Sequence, residues 1–435
     1  MSEIIKNDKK IVNAWCMYDW ANSVYPLTIT TAIFPAFYIG VTGGEENSLV
    51  RFFGIELENT ALYAFAVSAA YLLVALMNPF LSSIADYTGN KKVFMKFFCY
   101  LGALSCSGLF FFNGENIEYG IILFALAGIG YAGSLVFYNS YLPEIATEDK
   151  FDNYSAKGFS LGYIGSVILL IVNLLVVLFP NAFSIPEEDT RLPAQLCFLT
   201  VGIWWAGFAQ ITFSRMPNPI KREKQQVNVI QKGLEELSKV WQEIKQQPII
   251  KKYLLGYFLY STGVQTVMYM ATIFGEKVIG FEESSSLIFL ILIIQLVAIP
   301  GAFLFSWISK KKGNFYSIIL AVIVWIGICI SAYFMGHGME TEFYILAVIV
   351  GVVMGAIQSM SRSTYSKLIP TNTKDTASYF SFFELVEKVA ITLGTLVYGT
   401  LVNITGSDNY SALALGVFFI ASLVVLMRLP KLKTA

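Results

Sequence analysis

Two apolar stretches of the chain contain ionisable side chains at helical spacing, and these residues could do chemistry. In the first stretch Asp19 begins a polar stripe that continues through Asn22, Ser23, Pro26 and Thr30. Because proline lacks an N–H, Pro26 leaves the carbonyl oxygen of Asn22 available on the same face. We interpret the stripe as the lining of a binding cavity, with Asp19 as a proton or cation site. A purely structural role, in which Asp19 reaches an interface or pairs with a lysine, stays open.

The second stretch places Glu384, Glu387 and Lys388 on one helical face, at positions i, i+3 and i+4. Glu384 followed by Lys388 is the favourable order for an ion pair along a helix. Two carboxylates against one ammonium leave one negative charge, which a proton, Arg362 or a bound solute could neutralise. Exchange among these partners is what the coupling of proton binding to solute binding requires. A static latch near the lipid headgroups is the alternative interpretation.

Three further apolar stretches carry polar stripes of the same spacing. They comprise Tyr131, Ser134, Tyr138 and Tyr141 with Asn139 beside them; Thr262, Gln265, Tyr269 and Thr272; and Gly351, Gly355, Gln358 and Arg362. These side chains could face an internal cavity. They could also serve only as contacts between helices, with the glycine pair allowing close packing.

The composition indicates which elements must hold these residues. Hydrophobic residues make up 56% of the 435-residue chain and charged residues 14%, against roughly 25% charged in soluble domains. Apolar runs of about 20 residues span a bilayer, and a charge within one costs about 2.5–3.5 kcal/mol on insertion scales. We therefore predict an all-α, polytopic membrane protein with twelve transmembrane helices, at about residues 12–40, 60–82, 93–112, 118–140, 158–180, 193–213, 252–274, 285–308, 315–335, 343–361, 379–403 and 410–428.

Lysine and arginine are distributed unequally between the two sides of these spans. With twelve spans both termini share one side, and of the 30 Lys and Arg residues only Arg51, Arg191 and Lys277 fall on the other side, with Lys388 inside a span. Cytoplasmic loops carry the excess of positive charge in membrane proteins. We therefore expect both termini in the cytoplasm. A signal peptide is not expected, because the first apolar run contains Asp19 and no cleavage site follows it.

The chain repeats its organisation once, since the turn at 89–92 between spans two and three resembles the turn at 310–314 between spans eight and nine. We predict two pseudo-symmetric bundles of six helices joined by a linker, with boundaries at 1–213, 214–250 and 251–435. Within the linker, apolar residues at helical spacing predict an amphipathic helix on the cytoplasmic face, namely Leu234, Leu237, Trp241 and Ile244.

The loop NPFLSSIADYTGNKK at 78–92 resembles the loop between helices two and three of the major facilitator superfamily of transporters, through Asp86, Gly89, Lys91 and Lys92. The chain departs from that pattern at Ser82, Tyr87 and Asn90. We expect the charged side chains in water or headgroups, with Gly89 allowing the reversal of the chain. The resemblance implies that Asp86 meets the N-terminal end of span eleven and holds the cytoplasmic side closed. Asp86, Gly89, Lys91 and Lys92 are therefore the candidate gating residues.

Segments in both halves resemble a narrower family. They are NAWCMYDWANSVYPLTITTAIFP at 13–35, YNSYLPEIA and SAKGFSLGYIG within 138–165, IQSMSRSTYSKLIP at 357–370 and FFELVEK at 382–388. They are similar to the vacuole-effluxer family of autophagy-related amino-acid exporters and its bacterial relatives. The resemblance implies secondary transport, with amino acids as the solute of the fungal members. By position it draws attention to Asp19, Trp20, Asn22, Tyr25, Asn139, Arg362 and Lys388.

The residues and the resemblance together define a functional hypothesis. The superfamily resemblance implies that spans one, four, seven and ten line a central cavity, and these spans carry polar stripes. The chain is expected to move a small solute, amino acids first, by alternating access with optional proton coupling. The candidate solute contacts are Asp19, Asn22, Tyr25, Tyr138, Asn139, Gln265, Tyr269, Gln358 and Arg362, with Arg362 as the fixed charge for a carboxylate. The candidate proton-coupling residues are Asp19, Glu384, Glu387 and Lys388. A sugar, peptide or organic acid as solute, or a solute-binding receptor without transport, are the alternatives.

Other classes of protein find no support in the sequence. The single histidine, His337, lies in an outer loop without metal-ligand neighbours, and neither a catalytic set nor a Walker motif GxxxxGK[ST] occurs, so neither an enzyme nor an ATP-driven pump is expected. The five cysteines show no disulfide or zinc spacing, and the net charge of +0 argues against nucleic-acid binding. No cofactor or metal is expected. The expected partners are the solute and the lipid bilayer, with the chain as a monomer in the bacterial inner (cytoplasmic) membrane.

Overall fold

A computed structural model describes residues 5–43, 49–186, 189–218, 229–281, 284–371 and 373–430, and most of this part of the chain is helical. The α-helices are α1 (Lys9–Asn22), α2 (Phe34–Val41), α3 (Asn59–Thr88), α4 (Lys91–Gly108), α5 (Ile117–Ser140), α6 (Leu142–Ile145), α7 (Phe151–Leu178), α8 (Leu192–Arg215), α9 (Val229–Gln246), α10 (Pro248–Phe274), α11 (Ser284–Lys312), α12 (Asn314–Tyr333), α13 (Glu340–Leu368), α14 (Thr376–Thr405) and α15 (Asp408–Met427). π-Helices occupy Tyr25–Ile33 and Gly275–Ile279, and short 3-10 helices occupy Leu109–Phe111, Glu148–Lys150 and Pro180–Phe183.

Eleven helical segments in the described part of the chain are long and apolar enough to cross a bilayer. They coincide with predicted spans, and α10 covers the remaining predicted span, the seventh. The helices extend beyond the apolar windows, so that α7 begins at Phe151 and α13 ends at Leu368. Backbone hydrogen bonding continues into polar sequence, which hydropathy alone does not detect. The prediction of an all-α polytopic membrane protein is confirmed.

The first span changes its helical form at Pro26. The π-helix Tyr25–Ile33 follows the end of α1, and Pro26 lies in its first turn. Proline cannot donate to the carbonyl four residues earlier, so the α-helical ladder is interrupted and the wider i→i+5 pattern follows. The sequence predicts that Pro26 donates no hydrogen bond to the Asn22 carbonyl, but it does not predict the π-helix that follows.

A β-hairpin between α2 and α3 is an addition to the predicted helical architecture. Strand β1 (Leu49–Phe52) pairs antiparallel with β2 (Ile55–Glu58). The two turn residues, Phe53 and Gly54, have φ of +47° and +85°, the left-handed conformation that favoured two-residue hairpin turns require. The Phe53 N–H donates to Glu118 Oε1 at 2.8 Å, which connects the turn to the start of α5.

The contact pattern divides the chain into two compact units. The C-terminal unit comprises Met1–Asp8, Asn139–Ser160 and Lys224–Ala435, and the N-terminal unit comprises Lys9–Tyr138 and Leu161–Glu223. The segment that contains α6 and the start of α7 therefore packs with the C-terminal helices. The predicted bundle boundaries at residues 213 and 250 stay a prediction, and residues 219–228 of the predicted linker lie outside the described residues.

In the C-terminal unit, the backbones of α11 and α13 come close together at Gly351 and Gly355 of α13. A Cβ atom on Gly355 would overlap the carbonyl oxygen of Ala298, and one on Gly351 would lie 2.7 Å from the carbonyl oxygen of Ile294. Small residues allow such an approach where helices pack in a membrane. Close packing is therefore the role of this pair.

Replacing Gly355 with valine is expected to destabilise the C-terminal unit, because the backbone of α11 must move to admit the side chain. Overpacking of this kind costs about 1–3 kcal/mol. Thermal unfolding in detergent should show a lower melting temperature. Gly327→Val is the matched control, since nothing lies within 4 Å of a Cβ at Gly327. Equal destabilisation by the two substitutions would contradict the packing role.

Helix α9 lies where the sequence predicts an amphipathic helix within the linker. Val240 and Ile244 are buried on one side, whereas Leu234 and Trp241 are 51% and 45% exposed. The ring of Trp241 stacks on Phe382 of α14, with the centroids 5.3 Å apart. The apolar stripe is therefore only partly covered by protein, and its position on the cytoplasmic face stays a prediction.

Two polar contacts attach α9 to the start of α14. Lys239 forms a 3.0 Å salt bridge with Asp375, and this hydrogen bond raises the pKa of Lys239. The hydroxyl of Tyr379 donates to Glu243 at 2.7 Å. Lys239 is about half exposed, so water screens the salt bridge and it contributes little to stability. Its effect is to orient α9 rather than to stabilise the fold.

Candidate functional site

Arg362 lies near the C-terminal end of α13 in the C-terminal unit, with only 2% of its surface exposed. Its Nε donates to Ser155 Oγ, and its Nη2 donates to the backbone carbonyl of Ser155, both at 2.9 Å. The guanidinium lies over the ring of Phe159, with Cζ 4.1 Å from the centroid. Ser155 therefore binds the edge of the guanidinium, and Phe159, one turn further along α7, covers its face.

Asn139, at the end of α5, connects Arg362 to a carboxylate. Arg362 Nη1 donates to Asn139 Oδ1 at 3.3 Å, and Asn139 Nδ2 donates to Glu384 Oε1 at 2.9 Å. Asn139 is 6% exposed and Glu384 is 2% exposed. A primary amide has an acceptor on one side and donors on the other, so Asn139 can serve a cation and an anion at the same time.

Lys388 and Glu387 continue this chain of contacts along α14. Lys388 Nζ lies 3.4 Å from Glu384 Oε2 and 3.3 Å from Glu387 Oε2, and Glu387 Oε1 accepts a hydrogen bond from Gln265 at 2.6 Å. Among the described residues Glu384 Oε2 has no hydrogen-bond partner of suitable geometry, so Lys388 acts on it mainly as a charge. We call the whole set the Arg362 cluster: Ser155, Phe159, Arg362, Asn139, Glu384, Lys388, Glu387 and Gln265.

The structure brings most of the predicted candidates of this unit together. Those in the Arg362 cluster are Asn139, Gln265, Arg362, Glu384, Glu387 and Lys388. Gln358 instead points its Nε2 at Met268 Sδ, 3.7 Å away, and Tyr269 is half-buried on α10. Ser155 and Phe159 are not among the sequence candidates. The only sequence signal for Ser155 and Phe159 is their position. They are one helical turn apart, flank Lys157 and lie in a segment that carries the family resemblance.

The Arg362 cluster combines two chemical capacities. Arg362 presents five N–H donors in a planar fork, which binds a carboxylate through two parallel hydrogen bonds. The two glutamates share one ammonium, so either of them can hold a proton or a second cation. Buried ionisable groups are costly unless they are paired, and here each charge has an opposite charge or an amide within reach.

In the N-terminal unit, Asp19 and Tyr138 form a second pair of predicted residues. The hydroxyl of Tyr138 donates to Asp19 Oδ2 at 2.7 Å, and Asp19 is 4% exposed. Trp15 stacks on Tyr138 at 4.7 Å and donates from Nε1 to the Tyr138 carbonyl oxygen at 2.9 Å. Trp15 therefore holds the ring and the backbone of Tyr138, whose hydroxyl binds Asp19.

Asn22 and Tyr25 lie further along the same span. Asn22 is 1% exposed, and its Nδ2 has no hydrogen-bond partner within the described ranges. Tyr25 packs against Tyr131 and Trp205, with ring centroids 5.2 Å and 5.9 Å away. It lines a small pocket of the N-terminal unit together with Thr30, Val67, Ala70, Tyr71, Phe124 and Gly128.

The loop between α3 and α4 is not the hydrated turn that the sequence predicts. Asp86 is 2% exposed and forms a 3.1 Å salt bridge with Lys91, which is 6% exposed. Lys92, also 6% exposed, donates to a backbone carbonyl and to Asn218 Oδ1, both at 2.9 Å. The expectation that these charges lie in water or headgroups is wrong, because protein groups of the N-terminal unit replace the water. Gly89 has φ of +70°, as the predicted reversal requires.

A buried polar cluster around Asp152 is absent from the sequence-based candidates. Asp152, at the start of α7, accepts hydrogen bonds from Ser309 at 2.8 Å, from Asn314 at 2.7 Å and from Lys367 at 3.0 Å. Lys367 also donates to Asn314 Oδ1 at 2.7 Å. The cluster joins the ends of α7, α11, α12 and α13 within the C-terminal unit. These residues come from three separate parts of the sequence, around positions 152, 309–314 and 367, so no local spacing reveals them.

Asp152→Asn is expected to lower the melting temperature, because it leaves the ammonium of Lys367 buried without its carboxylate. Removal of one partner of a buried ion pair costs roughly 3 kcal/mol or more. Thermal unfolding in detergent measures the effect, and Asp149→Asn, at an exposed position three residues earlier, is the control. The double variant Asp152→Asn/Lys367→Met should recover part of the loss. Failure of that recovery would indicate that the ion pair is not the source of the stability.

The helical arrangement matches solved transporters over nearly the whole chain. The major facilitator superfamily transporter FucP, solved in the outward conformation, gives a TM-score of 0.68 over 98% of this chain and 99% of its own, at 11% identity. The proton:xylose symporter XylE gives 0.66 over 98% and 96%, at 14% identity. Similarity at this level of identity establishes the fold, which is the predicted major facilitator fold. Together with a transporter-family match over residues 7–434 and a 30% identical MFS-type transporter, this fold identifies the molecule as a secondary transporter of the major facilitator superfamily and not an enzyme.

Sequence comparison narrows this class to one family. The chain belongs to the family described as vacuole effluxer Atg22 like, which matches residues 7–434. The MFS-type transporter YxiO of Bacillus subtilis strain 168 is 30% identical over 98% of this chain and 96% of its own length. Autophagy-related protein 22-1 of Aspergillus clavatus is 23% identical over 88% of this chain and 75% of its own. The family resemblance predicted from the sequence is confirmed.

Proposed function

We propose that this transporter moves small solutes that carry a carboxylate, above all amino acids, and that it couples their movement to protons. One observation supports this most strongly. In the Arg362 cluster a guanidinium, an ammonium and two carboxylates are buried or half-buried in helices of the membrane-spanning part. Ionisable residues inside a membrane are costly and commonly mark the pathways of solutes and protons.

Arg362 is the proposed binding site for the solute carboxylate. Ser155 fixes its Nε, and Phe159 covers one face of the guanidinium. The orientation of the fork is therefore held before a solute arrives, and such preorganisation lowers the cost of binding. A charge-assisted hydrogen bond from Arg362 to a carboxylate would also give selectivity against solutes that lack one.

Glu384 and Glu387 are the proposed proton-coupling carboxylates, together with Lys388 and Asp19. Lys388 lies at similar distances from both glutamates, 3.4 Å and 3.3 Å. One ammonium can compensate only one carboxylate fully, so the second carboxylate can take a proton. It can also bind the α-ammonium of an amino acid.

Family membership supports export as the direction of transport, because the family is described as vacuole effluxers. Amino acids are the proposed solute on the basis of the charged groups of the Arg362 cluster. Transport of a sugar, a peptide or an organic acid is the second candidate, since substrate identity varies widely within the major facilitator fold.

The remaining predicted residues belong to the same proposed cycle of alternating access. The further solute contacts are Asp19, Asn22, Tyr25, Tyr138, Gln265, Tyr269 and Gln358, and the gating residues are Asp86, Gly89, Lys91 and Lys92. We propose a monomer of two six-helix bundles, with both termini in the cytoplasm of a bacterial cell and the chain in its inner membrane.

A thermal-shift screen of the purified protein tests the proposed solute class. Amino acids, dipeptides, sugars and organic acids are compared at two pH values. Carboxylate-bearing solutes should raise the melting temperature, and amino alcohols of matching side chain should not, because they lack the group that Arg362 binds. A rise in melting temperature with sugars alone would contradict the proposal that amino acids are the solute.

Counterflow in proteoliposomes separates transport from binding without transport. Vesicles loaded with an unlabelled solute that gives a thermal shift should accumulate the labelled form from outside. A receptor would bind the solute and show no accumulation. Vesicles without protein provide the background rate.

A further inference from the structure

We infer that Asn139 is the positioning residue that links proton binding at Glu384 to solute binding at Arg362, so that one proton and one carboxylate-bearing solute bind to the protein together. This inference depends on the proposed function. The sequence makes Asn139 a candidate solute contact. The structure instead engages both ends of its amide with other protein groups, Arg362 on one side and Glu384 on the other.

The hydrogen-bond pattern of Asn139 depends on the charge of Glu384. In the structure Asn139 Nδ2 donates to Glu384 Oε1 at 2.9 Å, which is the pattern that a carboxylate accepts. The same orientation of the amide turns Oδ1 to Arg362, where it accepts from Nη1 at 3.3 Å. The ionised glutamate therefore selects the orientation of the amide that holds Arg362.

The position of Lys388 decides which oxygen of Glu384 receives a proton. Lys388 Nζ lies 3.4 Å from Oε2, so a proton on that oxygen would face an ammonium. A proton that arrives from water therefore forms its O–H bond at Oε1, the oxygen that faces Asn139. Asn139 must then accept instead of donate, and the amide turns so that Oδ1 meets Glu384.

Rotation of the amide changes the other end of the contact as well. Nδ2 then faces Arg362 Nη1, and two donors cannot bond to each other. Arg362 keeps its contacts with Ser155, whereas the Nη1 N–H that pointed at Asn139 loses that acceptor and can donate to a solute carboxylate. Because coupling between two binding events is reciprocal, a solute bound at Arg362 favours the protonated form of Glu384 to the same extent.

Other ionisable groups around Glu384 are consistent with its taking the proton. On its own helix Glu387 is the second carboxylate, but Glu387 accepts from Gln265 and is 18% exposed at its side chain, compared with 3% for Glu384. Tyr257 of α10 faces both glutamates, and its neutral hydroxyl does not compensate their charge. Glu384 is therefore the carboxylate with the weaker compensation, and neutralisation there relieves the larger burial cost.

Proton uptake on addition of solute tests the role of Asn139. Purified protein in weakly buffered detergent is mixed with an equimolar mixture of the common L-amino acids at matched pH. A pH dye records proton uptake, and a thermal shift records binding. The wild-type protein should take up about one proton per molecule of solute bound when Glu384 starts ionised, and its affinity should fall by up to about tenfold per pH unit as the pH rises.

Asn139→Leu, which is close in volume and lacks polar atoms, should still bind but with proton uptake near zero and an affinity that does not change with pH. Asn139→Gln keeps an amide and should recover part of the uptake. Ser155→Ala is the control, because Ser155 contacts Arg362 but has no bond to Glu384, and it should weaken binding while proton uptake per bound solute stays the same. Size-exclusion profiles identify variants that fail to fold, and Asn139→Ala replaces Asn139→Leu in that case.

The outcomes separate this inference from the proposed function. Absence of a thermal shift in the wild-type protein with every amino-acid mixture would overturn both. A thermal shift without proton uptake, or an uptake that Asn139→Leu leaves unchanged, would overturn the role of Asn139 alone.

Discussion

Arg362→Ala is expected to remove the thermal shift that carboxylate-bearing solutes produce, with a loss of affinity of roughly 30- to 4,000-fold. Truncation of one member of a buried, hydrogen-bonded charge pair costs about 2–5 kcal/mol, and each 1.4 kcal/mol is tenfold in affinity. Arg362→Lys keeps the charge but loses the planar fork, so its loss should be smaller. Isothermal titration or a concentration series of thermal shifts measures both variants.

Arg428→Ala, at an exposed arginine after α15, is the matched control and should bind as the wild-type protein does. Arg362 also balances charge inside the fold, so the single variant should melt earlier. The double variant Arg362→Ala/Glu384→Gln removes one charge of each sign and should recover melting temperature without recovering binding. A folded Arg362→Ala protein with unchanged affinity would contradict the assignment of the carboxylate site.

Glu384→Gln is expected to abolish solute accumulation driven by a pH gradient while counterflow continues. Glutamine is neutral at every pH and can neither take up nor release a proton. The buried Lys388 keeps a partner in Glu387, 3.3 Å away, so the fold should tolerate the change. Because glutamine resembles the protonated glutamate, solute affinity at high pH should match the affinity of the wild-type protein at low pH.

Proteoliposomes with an imposed pH gradient measure this effect against counterflow in the same preparation. Glu340→Gln, at the exposed start of α13, serves as the control and should accumulate solute normally. Gradient-driven accumulation by Glu384→Gln at the wild-type rate would show that the coupling proton binds elsewhere, with Asp19 as the next residue to examine.

The helices follow closely from the sequence, because the bilayer imposes a simple rule on it. A span must be apolar over about 20 residues and must satisfy its backbone internally, so hydropathy detects nearly all of them. Gly89 likewise acts through local backbone chemistry, and its positive φ has the predicted effect on the chain. The hairpin at Leu49–Glu58 is short and has no long apolar run, so the same rule does not detect it.

The candidate site follows from the sequence only in part. Glu384, Glu387 and Lys388 lie on one helix, so helical spacing is sufficient to bring them together. Arg362 and Asn139 are 223 residues apart, and their contact depends on packing that a single sequence does not contain. Asp86 is likewise buried by packing that a single sequence does not contain.

Pairing across such separations also explains why the surroundings of Asp152 are not predicted. Its partners Ser309, Asn314 and Lys367 belong to three other helices of the C-terminal unit. Each of them is an ordinary polar residue near a helix end in the sequence. Only the fold gives them a common position.

Two cationic and two anionic side chains make the Arg362 cluster electrically neutral as a whole when all four are ionised. A transmembrane voltage of 100 mV does about 2.3 kcal/mol of work on each elementary charge that crosses the membrane. A neutral cluster experiences no net force from that voltage when its helices move. The electrical work of a transport cycle is then determined by the charges on the solute and the proton, and a zwitterionic amino acid that moves with one proton would carry a single positive charge.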